Sequence, residues 1–564
     1  MKQPSGAAGS ATGSAGATGT AGGGSGTAGM AGAAGTGTAG TAGTAGMTGA
    51  AGTTGAAGVT GAAGLTGAAG MTGIGGATGM AGATGAAGMA TDSAQSVLTR
   101  NKHETRDGFF LEPTLTKAMA GKMAPDAAFM AKFNGAMWAS PLYAENGPGG
   151  KGAFFAATTN NMVYALDETT GAILWMHSIG NAPQQSGAGC GSIHPIGIIS
   201  TPVIDVASRT IYVAGGIGTN SIDRHEIHAL DIDNMGMEKA GWPINVSAMK
   251  DPGGLTFNTQ PQNQRSALSL VNGILYVAYG GHVGDCGNYH GWVIAINTAD
   301  PTKTAAWATG GGGEAIWASG GMASDGTGVF AITGNRNGGG GAHQDSEEVV
   351  KLTGMAQLNR ATGIYYTSNW QQMDQSDADF GSSSPVVLSV PGSTPSSIVA
   401  AASKDGHLYL LNPANLGGMA GHLRDVNVAE GGAMNIRAAL ASYVSASGVH
   451  VILNTLGGAS CGRGIVSVAL TPGSPPSAKQ AWCVGTGGSS SPISTATSTD
   501  GTGEVVVWFM NGNKLNGVES EMGMPVFSGG TGTCNGIEPW TSPIAVKGRI
   551  IAGADGQLCS WSPQ

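Results

Sequence analysis

Charge is scarce in this chain, and the shortage narrows what it can do. Lys, Arg, Asp and Glu make up 10 % of its 564 residues, and aromatic rings 6 %. Apart from Lys2, 24 basic side chains stand against 34 acidic ones, a net −10. No basic cluster occurs, so no nucleic-acid partner is expected: binding a phosphate backbone needs concentrated Lys and Arg. No apolar run is long enough for a transmembrane helix. The start carries no basic-then-apolar stretch of the secretory-signal kind. Cysteine is sparse as well, with six residues: Cys190, Cys286, Cys461, Cys483, Cys534 and Cys559. None lies in a C-x-x-C, and no C-x-x-C-H haem site exists. An even count without metal spacing suits disulfides, and so an oxidising compartment. Export is therefore expected, whether secreted, periplasmic or at the cell surface.

Residues 1–91 lack nearly everything a core requires. They hold one charged side chain, Lys2, and no aromatic ring. Such a Gly/Ala/Thr-rich segment cannot bury enough apolar surface to offset its ordering entropy, so a disordered tail is expected. From Gly37 to Gly88 glycine falls at every third position, which is the collagen period. Proline, which pre-organises a collagen strand, is missing from that stretch, and this favours a flexible tether over a triple helix.

After the tail a repeat appears. A short segment of small residues, most copies with Ser or Thr and several closing on Pro, recurs eight times. It reads Trp138-Ala139-Ser140-Pro141, Ser200-Thr201-Pro202, Arg265-Ser266-Ala267 and Ala318-Ser319-Gly320. It continues as Ser383-Ser384-Pro385, Arg437-Ala438-Ala439, Ser490-Ser491-Pro492 and Thr541-Ser542-Pro543. The steps are about 51 to 65 residues, the size of one four-stranded blade. Each unit goes on to a β-rich run such as Thr210–Ala214, often an Asp-Gly turn as at Asp405-Gly406, and an alternating strand such as His407–Leu411. Short strands, turn signals and no helical period mean an all-β fold, and the repeat selects an eight-bladed propeller over a sandwich. Residues 137–564 form the ring in this reading, and 92–136 a lead-in. The last unit ends after its third strand, so the ring needs a closing strand from elsewhere. The segment that opens with Gly108-Phe109-Phe110-Leu111 and runs on towards the first unit is the expected donor.

The run Ala165-Leu166-Asp167-Glu168-Thr169-Thr170-Gly171-Ala172-Ile173-Leu174-Trp175 resembles the A-x-D-x-x-T-G-x-x-x-W repeat of pyrroloquinoline-quinone propellers. Physically it is a strand, an Asx turn that needs Gly, and a returning strand whose Trp docks between blades. Ala229-Leu230-Asp231, Ala295-Ile296-Asn297 and Leu411-Asn412 are degenerate copies. The runs Gln264-Arg265 through Trp292 and Lys404-Asp405-Gly406 resemble an exported bacterial subgroup of these propellers. For the dehydrogenases of the family the resemblance implies a quinone, a calcium ion, an Asp base and a disulfide between adjacent cysteines. Thr333-Gly334-Asn335 matches the family's T-G-N, which implies calcium binding by Asn335, and Asp374 or Asp377 falls near the family's base. The adjacent cysteines are absent. Where the calcium-binding Glu belongs stand Gly215-Gly216-Ile217-Gly218-Thr219-Asn220, with no carboxylate.

Topology gathers other candidates on one face, because loops between blades and loops between second and third strands share it. Cys190, His194, His282, Cys286 and His290 fall there, as a metal site or as a Cys190–Cys286 disulfide with the histidines free. Cys461 with Cys483, and Cys534 with Cys559, are expected as pairs local to one unit. Arg265, Glu314, Trp317, Arg336, His343, Asp345, Asp379, Asn435, Arg437, Glu538 and Trp540 cluster at the funnel mouth, where charged and aromatic groups suit ligand binding. The expected function is a tethered, monomeric binding module that takes a protein or small molecule in its funnel. The alternatives are a quinone-dependent dehydrogenase with a non-standard calcium site, or an outer-membrane assembly scaffold. Quinone and calcium enter by resemblance alone.

Overall fold

The computed structural model describes residues 95–338, 341–355, 358–429, 436–530 and 532–564. The tether reading of residues 1–91 lies outside the described residues. Eight sheets follow one another along the chain, each built mainly of antiparallel neighbours. Their inner strands are Leu142–Ala144, Val203–Asp205, Ser269–Val271, Ala323–Ser324, Val386–Ser389, Ala441–Ser445, Ile493–Ala496 and Ile544–Val546. Each begins within a few residues of its small-residue segment, and they open blades 1 to 8 of an all-β, eight-bladed propeller. Buried Val, Ile, Ala and Leu fill the spaces between sheets, as in Val277, Ile294, Val399 and Val507.

The small-residue segment has a mechanical role. At most steps round the ring one blade is tied to the next through it. The Ser542 amide donates to Ser140 Oγ (2.9 Å), the Ser140 amide to Thr201 Oγ1 (2.9 Å) and the Ala439 amide to Ser491 Oγ (3.0 Å). Ser266 Oγ donates to the Ala318 carbonyl (3.0 Å) and Ser382 Oγ to the Ile436 carbonyl (2.6 Å). A small hydroxyl fits where inner strands crowd the axis, and it satisfies backbone groups that no sheet ladder reaches.

The A-x-D-x-x-T-G-x-x-x-W run builds the turn its sequence implies. Asp167 Oδ1 accepts the amides of Thr169 (3.0 Å) and Thr170 (2.8 Å), and Gly171 takes φ 74°. Trp175 then reaches the neighbouring blade, its Nε1 donating to the Ile232 carbonyl (2.9 Å). Asp231, Asn297 and Asn412 accept turn amides in the same way in blades 2, 3 and 5.

Blade 8 is completed by Met123–Pro125 and Ala131–Lys132, both antiparallel to Gln557–Pro563. Phe109–Leu111, which the sequence puts forward as the start of the donor, instead runs parallel to Ile493–Ala496 at the inner edge of blade 7. The closing strands come from the residues after it.

Residues 95–112 form a plug across the channel. The Val97 amide donates to the Tyr143 carbonyl (2.7 Å), and the carbonyls of Leu98, Glu104, Thr105, Asp107 and Gly108 accept from Ile204, Ser324, Val387, Ser442 and Ser494. Arg106 reaches the Leu268 carbonyl (2.7 Å), and Gln95 accepts from the Lys547 amide (2.7 Å). Every blade is touched. These contacts lie along or beyond the inner strands, so the plug closes the channel on the side away from the inter-blade loops. What remains is a funnel with a floor.

Candidate functional site

One register of the repeat furnishes that floor. With the segments aligned, the position that opens or immediately precedes each of them is Trp138, Ile199, Arg265, Trp317, Ser382, Arg437, Ser489 and Trp540. Arg265 sits where the inner edge of blade 3 breaks between Gln262–Asn263 and Ser269–Val271. Its guanidinium lies 4.3 Å from the Trp540 ring centroid, 5.6 Å from Trp138 and 5.7 Å from Trp317. Three indoles from blades 1, 4 and 8 thus box one cation, an arrangement each pair stabilises by roughly 0.5–2 kcal/mol. Arg265 keeps 7 % of its surface open. Burial, and then the charge of Arg437, lower it to about 10, so it stays protonated at neutral pH.

Trp540 is held in a costly conformation. Its φ is 64°, and its carbonyl accepts from Arg100 of the plug and from Ser491 Oγ (2.9 Å). Glu314, Glu347 and Asp377 take φ of 50°, 52° and 55° on the same face. Non-glycine residues in this region cost of order 1–3 kcal/mol each, and such strain gathers where the surrounding structure holds side chains for a purpose.

Beside the box lies an ion triad. Lys404, 4 % exposed, donates to Asp377 Oδ1 (2.6 Å) and Asp379 Oδ2 (2.5 Å), and its Nζ stands 5.3 Å from the Trp317 ring. Asp379 Oδ1 also accepts the Asn335 amide (2.6 Å). Gly334 of the T-G-N run is glycine for want of room: a Cβ there would meet Asp379 Oδ1 at 2.6 Å and Trp317 Nε1 at 3.2 Å. Burial raises Asp379, and Lys404 opposes the shift. Burial also raises Glu347 well above the carboxylate range; its Oε2 accepts the Phe380 amide (2.5 Å). Glu314 is raised to about 7 by burial, against the bond from the Gly311 amide (2.8 Å).

The remaining candidates scatter from this centre. Asp374 ties down a loop, accepting the Arg336 amide (2.9 Å) and Ser346 Oγ (3.1 Å). His343 stacks on Tyr366 at 3.7 Å between centroids, and Asp345 accepts the Gly310 amide (2.6 Å). Glu538 is raised to about 7 by burial and then by its neighbour Asp555. Asn435 lies outside the described residues. The structure contains the cystines Cys190–Cys286, Cys461–Cys483 and Cys534–Cys559. That corrects the metal alternative, since both sulfurs are spent on each other. His194, His282 and His290 meet instead the carbonyls of Gln184, Gln260 and Thr309.

Trp138 and Lys404 were not among the site residues the sequence singled out. Trp138 shares its repeat register with Trp317 and Trp540, and that register was the available signal. Lys404 lay in the Lys404-Asp405-Gly406 run that carries the family resemblance, in a loop between second and third strands, and nothing there pointed to its ion pairs.

Three solved structures share the propeller fold. The quinohemoprotein alcohol dehydrogenase of Comamonas testosteroni matches with TM-score 0.57 and 14 % identity, over 83 % of this chain and 80 % of that one. Quinohemoprotein alcohol dehydrogenase ADHIIG of Pseudomonas putida HK5 gives 0.58 and 13 %, over 83 % and 80 %. A europium-containing methanol dehydrogenase gives 0.52 and 15 %, over 83 % and 89 %. Such identities establish the fold. The collagen triple helix repeat model matches residues 36–95. No curated protein matches the chain in sequence.

The calcium and quinone that the fold family implies do not fit these residues. Calcium takes about six to eight oxygens. Here Asp377 and Asp379 are both bound by Lys404, and residues 215–220 offer no carboxylate. Among the described residues no group of three or more His, Cys, Asp or Glu is arranged to hold a metal. The cystines join residues 22 to 96 apart in sequence, so none is a disulfide between neighbours.

Proposed function

We propose that this is an exported binding module that receives a small ligand in its funnel and performs no quinone chemistry. The supporting observation is the Arg265 box: a buried cation walled by Trp138, Trp317 and Trp540 at the bottom of a funnel that the plug closes beneath. Aromatic walls with a few fixed polar groups are what ligand sites are made of. The three cystines and the lack of a membrane-crossing helix among the described residues accord with an oxidising, extracytoplasmic setting.

The test is reconstitution of the protein with pyrroloquinoline quinone and calcium, read by absorbance and by reduction of an artificial acceptor with ethanol or glucose. Neither tight quinone uptake nor dye reduction is expected. Calcium-dependent quinone binding that disappears in Asn335→Ala would overturn the proposal in favour of the quinone-dependent dehydrogenase reading.

A further inference from the structure

Charge round the funnel floor is lopsided. Arg265 has no carboxylate partner and makes no hydrogen bond among the described residues, although only 7 % of it is exposed. Arg437, the same repeat position in blade 6, lies close enough for its charge to act on Arg265; it feels Asp377 and Asp379 in turn, and its buried Nε has no hydrogen-bond partner among the described residues. The indole Nε1 of Trp540 is likewise buried, with no hydrogen-bond partner among the described residues. Arg100 adds a third guanidinium from below, tied to the Trp540 carbonyl. The nearby acids Asp377 and Asp379 are both held by Lys404. Arg265, Arg437, Arg100 and Lys404 thus gather four basic side chains at the floor of a chain whose overall charge is −9, and only Lys404 among them is ion-paired to an acid there.

The buried Nε of Arg437 without an acceptor is costly, of order 1–3 kcal/mol, while the Arg265 nitrogens have no protein acceptor and are not fully sealed from solvent. Proteins keep such a group where a ligand supplies the acceptor. We infer that the floor is a receptor for the carboxylate group of a small organic acid, with Arg265 as its principal ligand and Arg437 as the second. The inference deepens the binding-module reading and rests on it. A guanidinium presents parallel N–H bonds that match the two oxygens of a carboxylate edge. The indoles would take the acid's apolar body and cannot replace the water round a compact, strongly hydrated ion such as inorganic phosphate.

The experiment titrates the full chain with benzoate, succinate, inorganic phosphate and neutral benzamide, read by calorimetry and by tryptophan emission. At least one carboxylate is expected to bind one to one with saturable quenching, more tightly than phosphate by about tenfold or more. Benzamide is expected to give no saturable signal. Arg265→Gln should weaken carboxylate binding by about tenfold or more, and Arg265→Lys should recover only part of it, because an ammonium lacks the fork. If Arg265→Gln fails to fold, Arg437→Gln and the wild-type comparison of benzoate with benzamide carry the test. Equal binding of benzoate and benzamide, or of carboxylate and phosphate, overturns the carboxylate assignment yet leaves a funnel that binds ligand. No saturable response to any of the four up to about 10 mM, a range that covers even weak millimolar binding, overturns the inference. Quinone uptake on reconstitution with calcium is what would remove the binding-module reading itself.

Discussion

At the residue scale, the repeat separates what builds the ring from what furnishes its funnel. Ser140, Thr201, Ser491 and Ser542 keep a hydroxyl because blades are bolted through it, whereas the position two residues before it in the repeat runs through Trp, Ile, Arg and Ser. Alignment of the repeat made the hydroxyls legible. Arg265, Trp317, Arg437 and Trp540 were legible as funnel-mouth residues for the same reason. Their mutual contacts were not, because which blade faces which across the axis depends on the twist and closure of the whole ring. Glu314 provides a pH-dependent prediction. Its ordinary pKa of 4.5 is raised to about 7 by burial. As pH rises past 4.5 the unfolded chain gives up this proton while the folded one keeps it. The stability contributed by Glu314 therefore falls between about pH 4.5 and 7, by at most about 1.4 kcal/mol per pH unit, and is level above. Denaturant midpoints of wild type and Glu314→Gln, measured from pH 4 to 8, should diverge over that window, with the variant gaining relative to wild type as pH rises.

At the element scale, two segments before the first blade do work that no repeat announces. Phe109–Leu111 has strand-like residues and so reads as a closing strand; its place is taken by Met123–Pro125 and Ala131–Lys132 because blade 8 needs an antiparallel outer neighbour for Gln557–Pro563. The plug has no pattern at all. Its partners are backbone groups, which a sequence does not distinguish, and its path needs positive φ at Asn101, Lys102 and Arg106. Arg106, 1 % exposed, donates to Met322 O, Leu268 O, Ser269 Oγ, Thr99 Oγ1 and Arg100 O. Arg106→Met leaves those acceptors buried, and the expected loss is about 3 kcal/mol or more by urea unfolding. Arg463→Met, an exposed control in blade 6, should stay within about 0.5 kcal/mol of wild type.

At the scale of the whole molecule, closure gives blade 8 the outer strands that its own stretch of chain lacks. A chain that begins at residue 133 would lack the plug and both closing strands, and Gln557–Pro563 would present an unpaired edge. Such edges recruit other chains. Light scattering of that truncated chain should show self-association at concentrations where the full chain shows none.

The plug also has a history within each molecule. It is made before any blade, yet its bonds reach from Tyr143 in blade 1 to Lys547 in blade 8. During synthesis Arg100 and Arg106 must wait, hydrated, for acceptors that emerge hundreds of residues later. Blades can form in turn, but the earliest segment is the last to be satisfied. Contacts so distant along the chain make folding slow and leave partly built rings open to misassembly. The keystone of this arch is cut first and set last.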